Sequence, residues 1–357
     1  MRIAIIGAGP AGLACAIECE RLGVTPDLFE RDANVGWNWP SIVCWMNIFE
    51  SRMGGDIIKF LKDTYGLKLK HLSNWKSIVM KSPGREVRIE GNLGYFITRG
   101  RTEEDSLEKQ LLRELKQTPL HFNTPSDYNE LSGKYDFVVV ATAKDNEARE
   151  LGVWEDHGVV YIRGAIVIGK FETGSVTLYF DTDLVHHGYV RITPFSPTRA
   201  ILGYYNIGSP KEEVDGLFDQ FIEQEGLSNL ELIYKLSLPV FTMGSVKQFK
   251  VGNVLLTGRA AGLTDRLMGC GGIESMLSGI MAAKATIQGL DYNALVKPLQ
   301  NHIENVSAFR EPVNNLDDRG FDRLLGLLGT PGIKQAVYSS GINFTDMAGS
   351  ILRKISH

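Results

Sequence analysis

The stretch RIAIIGAGPAG (2–12) decides the fold. RIAII (2–6) is a short apolar run and reads as a buried parallel strand. Gly7, Gly9 and Gly12 then fall in the G-x-G-x-x-G pattern, and Ala11 to Leu22 carry small and apolar residues at helical spacing. VTPDLFE (24–30) reads as a second strand that ends in Glu30. Each part has a physical job. Gly7 permits the tight turn, Gly9 lets the backbone approach a pyrophosphate, and Gly12 lets helix and strand pack closely. Free N–H groups at the helix start face the phosphate charge. Glu30 can accept hydrogen bonds from the ribose hydroxyls. A lone GxGxxG is weak, but here strand, glycines, helix, strand and acid stand in register. The motif serves NAD and FAD alike.

The rest of the chain narrows the class. With 357 residues, 43% of them hydrophobic, there is enough material for a sizeable core and two or three domains. The net charge of -4, without a basic block, argues against a nucleic-acid partner. The start MRIAIIGAG lacks the features of a secretory signal, and no apolar run reaches the ~18 residues of a membrane span. A soluble, cytoplasmic protein is expected. Of the four cysteines, Cys15 and Cys19 share a helix face as small packing residues. No cysteine or histidine grouping has zinc spacing, so no metal is expected.

Two further segments speak for FAD. DFVVVATA (136–143) is another buried strand, ending in Ala141 and Ala143. GNVLLTGRAAGLTDRLMGCGGIE (252–274) runs from a strand into one glycine cluster, then a second, then a helix from about Ile273. This segment resembles the G-D-A-A-G…G-x-G-I stretch of the FAD-dependent family that includes para-hydroxybenzoate hydroxylase, geranylgeranyl reductases and flavin halogenases. DFVVVATA is similar to that family's strand ending in ATG, with Ala143 in place of the last glycine. The resemblance implies that the later helix points its N-terminus at the flavin, where reduced flavin carries negative charge. Arg259 stands where the family has an aspartate to contact the ribityl chain. A guanidinium can meet a pyrophosphate or a substrate anion but cannot accept a hydrogen bond. No second GxGxxG unit is present, so NAD(P)H would visit transiently, or another carrier such as ferredoxin would serve.

YFITRGRTEEDSLEKQLLREL (95–115) predicts a helix with Leu107, Leu111 and Leu115 as its apolar stripe and Thr102-x-x-Asp105 as a capping box. The resemblance places an FAD-contacting arginine before it: Arg99 or Arg101, with Arg99 fitting the spacing better. The cofactor-binding set is then Gly7, Gly9, Pro10, Ala11, Gly12, Glu30, Arg31, Arg99, Ala141, Gly258, Arg259, Gly269, Gly271, Gly272 and Ile273.

From about 158 to 206 the pattern turns to strands separated by breakers, which predicts an antiparallel sheet. SPKEEVDGLFDQFIEQEG (209–226) predicts a helix with Ser209 as N-cap. Residues 291–357 read as helical, in pieces 294–309, 317–328 and a tail from Pro331. The apolar FDRLLGLLG (321–329) packs on the core by default, with a channel lining or a peripheral membrane contact as alternatives. The expected architecture is α/β. A Rossmann-like FAD-binding domain (1–60, 95–150 and 245–290) carries an inserted antiparallel substrate domain (61–94 and 151–244), and a helical region (291–357) follows.

GYVRITPFSPTRAILG (188–203) resembles the Y-x-W-x-F-P…G signature of geranylgeranyl reductases, which lies over flavin and substrate. Tyr189, Pro194 and Gly203 keep the pattern; Arg191 replaces tryptophan and Thr193 replaces phenylalanine. An arginine there suits a phosphate or carboxylate head group. NVGWNWPSIVCW (34–45) is similar in part to the WxWxIP box of flavin halogenases, yet it lies far earlier in the chain than that box, and Pro40 directly follows Trp39. The expectation is instead a loop whose Trp37 and Trp39 wall the flavin or substrate, with Cys44 at its inner end.

The resemblance implies an FAD-dependent oxidoreductase that reduces a carbon–carbon double bond of an isoprenoid or other hydrophobic or amphipathic substrate. Cys44, Tyr189 and Arg191 are the candidate catalytic residues. A flavin monooxygenase of the hydroxylase type shares the fold; a halogenase would also need a lysine reaching its hypohalous acid channel, and Lys76 and Lys81 lie in the general region. A non-catalytic FAD-binding redox partner is the third reading, kept open by Ala143 and Arg259.

Overall fold

The structure, a computed structural model, describes residues 1–50, 53, 55–338 and 344–355. Its first sheet has six strands in the order Lys250–Val251, Val254–Leu256, Phe137–Val140, Ile3–Ile6, Asp27–Phe29 and Leu120–His121. All neighbours are parallel except the first pair. IAII, FVVV and VLL are almost wholly apolar because a parallel sheet is covered on both faces. Helices Pro10–Arg21 and Gly272–Gln288 pack directly on each other. A Cβ on Gly279 would lie 2.0 Å from the Ala11 carbonyl oxygen, so glycine is what allows this approach. Cys15 and Cys19 are buried here, as packing residues.

The second sheet has nine strands. Eight follow in the order Glu231–Ser237, Trp154–Ile168, Arg199–Asn206, Tyr189–Pro194, Ser175–Tyr179, Ser73–Ser82, Arg85–Arg99 and Ser41–Met46, while Phe241–Val246 pairs with the first half of Trp154–Ile168. Only Ser73–Ser82 and Ser175–Tyr179 run parallel. The α/β architecture with a Rossmann-like domain, a large, mostly antiparallel sheet and C-terminal helices is as the sequence predicts. Sheet membership begins earlier than the loop reading of 34–45 allows: Ser41–Met46 is a strand, in register with Arg85–Arg99 from Ser41 opposite Arg99 to Met46 opposite Gly94. The β-branched and aromatic SIVCWM suits a pleated, half-buried strand.

Helix starts differ from the sequence reading in two places. Ser106, not Thr102, caps helix Leu107–Glu114, its hydroxyl accepting from the Lys109 amide. Asp105 instead offers its carbonyl to Thr98 Oγ1 and Gln110 Nε2, which ties the bend to the strand before it. Ser209 caps nothing; a 3₁₀ turn over Lys211–Glu213 precedes helix Val214–Gln224. That helix buries Val214, Phe218, Phe221 and Ile222 against Tyr179, Tyr204 and neighbouring sheet residues.

The C-terminal region forms helices Tyr292–Ser307, Arg310–Asn314, Asp318–Leu328, Pro331–Tyr338 and Phe344–Ile355. Asp318–Leu328 docks on the second sheet. Asp322 accepts from Ser82 Oγ at 2.6 Å and the Gly84 amide at 3.1 Å, and Phe321 stacks on Phe180 with ring centroids 5.2 Å apart. The apolar FDRLLGLLG thus packs on the core through Phe321 and Leu325. Among the described residues, no helix is long and apolar enough to cross a membrane.

Candidate active site

One continuous cleft joins the two sheets. It starts at Gly9, Pro10 and Ala11, passes Ala141, Arg259 and the segment 264–275, and ends under the second sheet at Cys44, Tyr189, Arg191 and Tyr205. The nucleotide end follows from local backbone geometry. Gly7 has φ +104°, and a Cβ there would lie 2.5 Å from the Ala141 carbonyl oxygen. A Cβ on Gly12 would lie 2.0 Å from the Gly7 oxygen. Gly9 is different: an added Cβ meets nothing within 4 Å, so the space before this backbone is open. Gly7 and Gly12 build the turn, and Gly9 leaves room for what the turn receives.

Glu30 lies at the end of strand Asp27–Phe29 and accepts from the Ala8 amide at 2.8 Å and the Asp32 amide at 3.0 Å. A carboxylate has about four lone-pair sites, so it keeps acceptor capacity for a ribose hydroxyl. Arg31 points outward, 59% exposed, and does not line the cleft. Arg99 lines the cleft and pairs with buried Glu108 at 2.8 Å. Arg101 is spent on the loop after Glu30, donating to the Gly36 carbonyl and to Asp32.

Arg259 also lines the cleft. Its guanidinium carbon lies 3.9 Å from the Phe241 ring centroid, and burial pushes its pKa down to about 10. Gly258, Gly269 and Gly262 have positive φ and shape the chain into helix Gly272–Gln288. Gly269, Gly271, Gly272 and Ile273 line the cleft at the N-terminal end of that helix. Ala143 has φ +58°, so the alanine holds the left-handed conformation that a glycine would take without cost.

The aromatic wall is made by a different pair of tryptophans than the sequence suggests. Trp37 and Trp45 line the cleft, whereas Trp39 is buried under Gly164 of strand Trp154–Ile168. Trp45 Nε1 is buried without a hydrogen-bond partner, close to Gly272 at the helix start. A strand places alternate side chains on opposite faces, which sends Cys44 into the cluster under the second sheet and Trp45 towards the Rossmann core.

At the inner end, Tyr189 and Tyr205 stack with centroids 4.7 Å apart, and Tyr189 Oη donates to the Met268 carbonyl at 2.7 Å. Arg191 Nη2 donates to the Ile42 carbonyl at 2.8 Å and to Tyr205 Oη at 3.4 Å. Burial pushes the Cys44 thiol up, against a smaller lowering by Arg191. Thr193, in place of the family's phenylalanine, is fully buried with its hydroxyl unpartnered. Lys76 and Lys81 are elsewhere: both lie on strand Ser73–Ser82, outside the cleft, and Lys81 pairs with Glu86.

Two features had no sequence signal. Asp265 is buried in the cleft wall and accepts from the Met268 and Cys270 amides at 2.6 and 2.7 Å, while burial pushes its pKa up to about 6. Glu50, Glu274 and His302 bring one ligand atom each within 4.8 Å of one another, and His302 Nδ1 meets Asp346 at 2.9 Å. Glu50 comes from a segment far earlier in the chain than Glu274, His302 and Asp346, which sit on three separate helices, so no spacing rule links them.

The residues fit FAD. Open space before Gly9, the helix N-terminus at Gly272 and the unpartnered indole N–H of Trp45 present donors along one cleft to a ligand with phosphates and carbonyl oxygens. Comparison with known proteins agrees on the fold. The model of the NAD(P)-binding Rossmann-like domain matches residues 5–55. A geranylgeranyl bacteriochlorophyll reductase-like protein from Thermoplasma acidophilum is 14% identical with TM-score 0.75, over 98% of both chains. The flavin-dependent brominase Bmp2 is 15% identical with TM-score 0.69, over 100% of this chain and 98% of that one. The tetracycline destructase Tet(51) is 16% identical with TM-score 0.60, over 97% of both chains. The chain has the fold of the FAD-dependent oxidoreductases.

Proposed function

We propose that this protein is an FAD-dependent oxidoreductase that reduces a carbon–carbon double bond of an isoprenoid or other hydrophobic substrate. The observation that carries the reading is the unbroken cleft from the Gly9 turn to the aromatic and aliphatic wall under the second sheet. When bound, FAD supplies hydride to one alkene carbon, after reduction by NAD(P)H or a ferredoxin. The chain's own residues do the rest. The Gly7–Gly12 turn and the Gly272 helix start hold the cofactor. Trp37, Trp45, Val43 and Met46 give the substrate an apolar bed that excludes water. Cys44 is held as a neutral thiol by burial and keeps a proton at Sγ for the second carbon. Tyr189 orients substrate with its ring, because its hydroxyl proton is committed to the Met268 carbonyl.

The test is the visible spectrum of purified protein, followed anaerobically with NADPH, NADH and reduced ferredoxin. The expected result is bound flavin, bleached by one donor and reoxidised by an alkene substrate without oxygen. Protein that carries no flavin, and takes up none on titration with FAD, defeats the reading. Oxygen consumed in step with product assigns a monooxygenase instead.

A further inference from the structure

We propose that the substrate carries a carboxylate and enters the cleft head first, its carboxylate bound by Arg191. The inference rests on the oxidoreductase reading for the identity of the cleft. Arg191 lies within strand Tyr189–Pro194 and faces the cleft's inner end. Its Nε makes no hydrogen bond although it is buried, and Nη1 meets only the Cys44 sulfur at 3.5 Å. No carboxylate lies within 4.0 Å of this guanidinium among the described residues; its partners are a carbonyl, a hydroxyl and a thiol. An arginine cannot shed its charge as a buried lysine does. The residue as a whole is half-buried on the cleft wall, and a partly desolvated cation without an anionic partner is costly, so the missing anion belongs to a ligand.

The protein's own anions do not fill the role. Cys44 stays a thiol, and Asp265 is engaged by the Met268 and Cys270 amides. Arg99 and Arg259 belong to the nucleotide side, the first paired with Glu108 and the second over Phe241. One guanidinium beside the Tyr189 and Tyr205 rings and the Cys44 thiol matches a carboxylate, whereas a phosphate dianion would keep a second charge uncompensated. The tail then runs outward along Val43, Met46, Ile162 and Met243 to half-exposed Trp37. Polar head inward and tail outward is the reverse of a prenyl chain inserted tail first.

The experiment is calorimetric titration of the FAD-loaded protein with trans-2-octenoate, trans-2-octenamide and trans-2-octen-1-ol. Flavin occupancy is measured in the same samples. The wild-type protein is expected to bind the carboxylate at least about 30-fold more tightly than either neutral analogue. Arg191→Gln should abolish that preference while leaving amide affinity within about twofold. Equal affinity of wild type for acid and amide overturns the inference without any variant, and so does an Arg191→Gln protein, folded by circular dichroism, that keeps the preference. Protein without flavin defeats the oxidoreductase reading; flavin-loaded protein without acid preference defeats this inference alone.

Discussion

Ala143 shows how a single residue can keep a fold and strain it. At φ +58° its Cβ is unfavourable by roughly 1–2 kcal/mol relative to an unstrained conformation. Ala143→Gly relieves that strain and gives back some backbone entropy, so a net gain of about 1 kcal/mol is expected in urea denaturation. The three motif glycines divide differently. Gly9→Ala should leave the melting temperature unchanged, since its Cβ meets nothing, yet weaken FAD binding about tenfold by filling the phosphate approach. Gly12→Ala should destabilise by about 1–3 kcal/mol or more, its Cβ pressing on the Gly7 oxygen. Flavin titration and thermal melting of both variants separate binding from folding. These roles are legible in sequence because the turn, helix and strand are contiguous. Trp45 was not legible as the cleft-facing tryptophan: the choice between it and Trp39 depends on where strand Ser41–Met46 begins. Tyr205 was equally hidden, since it meets Arg191 only through pairing of adjacent strands.

At the scale of an element, the segment from Asp265 to Cys270 is held by one carboxylate. Asp265 accepts two amides and its own amide donates to the Cys270 carbonyl at 2.8 Å. Its folded pKa of about 6 lies above the ordinary carboxylate value near 4, with burial as the main cause. The folded state therefore binds the proton more tightly than the unfolded chain. The stability from this proton is complete below about pH 4 and is lost as pH rises through about 6, a loss on the order of 2–3 kcal/mol. In urea denaturation from pH 4 to 7, wild-type stability should fall by that amount more than that of Asp265→Asn. A parallel pH dependence of the two proteins would show that this carboxyl does not titrate as described. The segment is legible from its glycines, but Asp265 itself is not, because a buried acid cannot be told from a solvated one by spacing.

At the scale of the molecule, the C-terminal helices divide: Asp318–Leu328 and Pro331–Tyr338 pack on the second sheet, while Tyr292–Ser307 packs on Gly272–Gln288 of the Rossmann domain. Phe321 is 2% exposed and stacks on Phe180, while Arg310 Nη2 donates to the His187 carbonyl at 2.7 Å. Phe321→Ala is expected to cost about 3–5 kcal/mol in denaturant titration, with little effect on flavin binding because the cleft lies elsewhere. A loss below about 1 kcal/mol would mean the helix is not docked as described. That these helices exist was plain from their periodicity. Where they dock was not, since Asp322 and Ser82 are separated by 240 residues.

The strand order of the first sheet also sets a timetable. Ile3–Ile6 lies between Asp27–Phe29 and Phe137–Val140, and Val254–Leu256 completes the core beyond. The nucleotide turn leaves the ribosome early, but its far wall at Gly271 and Gly272 is made more than 250 residues later. A nascent chain therefore holds an apolar parallel strand that can pair early with Asp27–Phe29 but keeps its other edge open until Phe137–Val140 is made, the condition that makes non-local sheets slow to form and prone to aggregate. FAD cannot rescue it, because a ligand stabilises only the state that presents its whole site. The cofactor should select among finished chains and leave the course of folding unchanged.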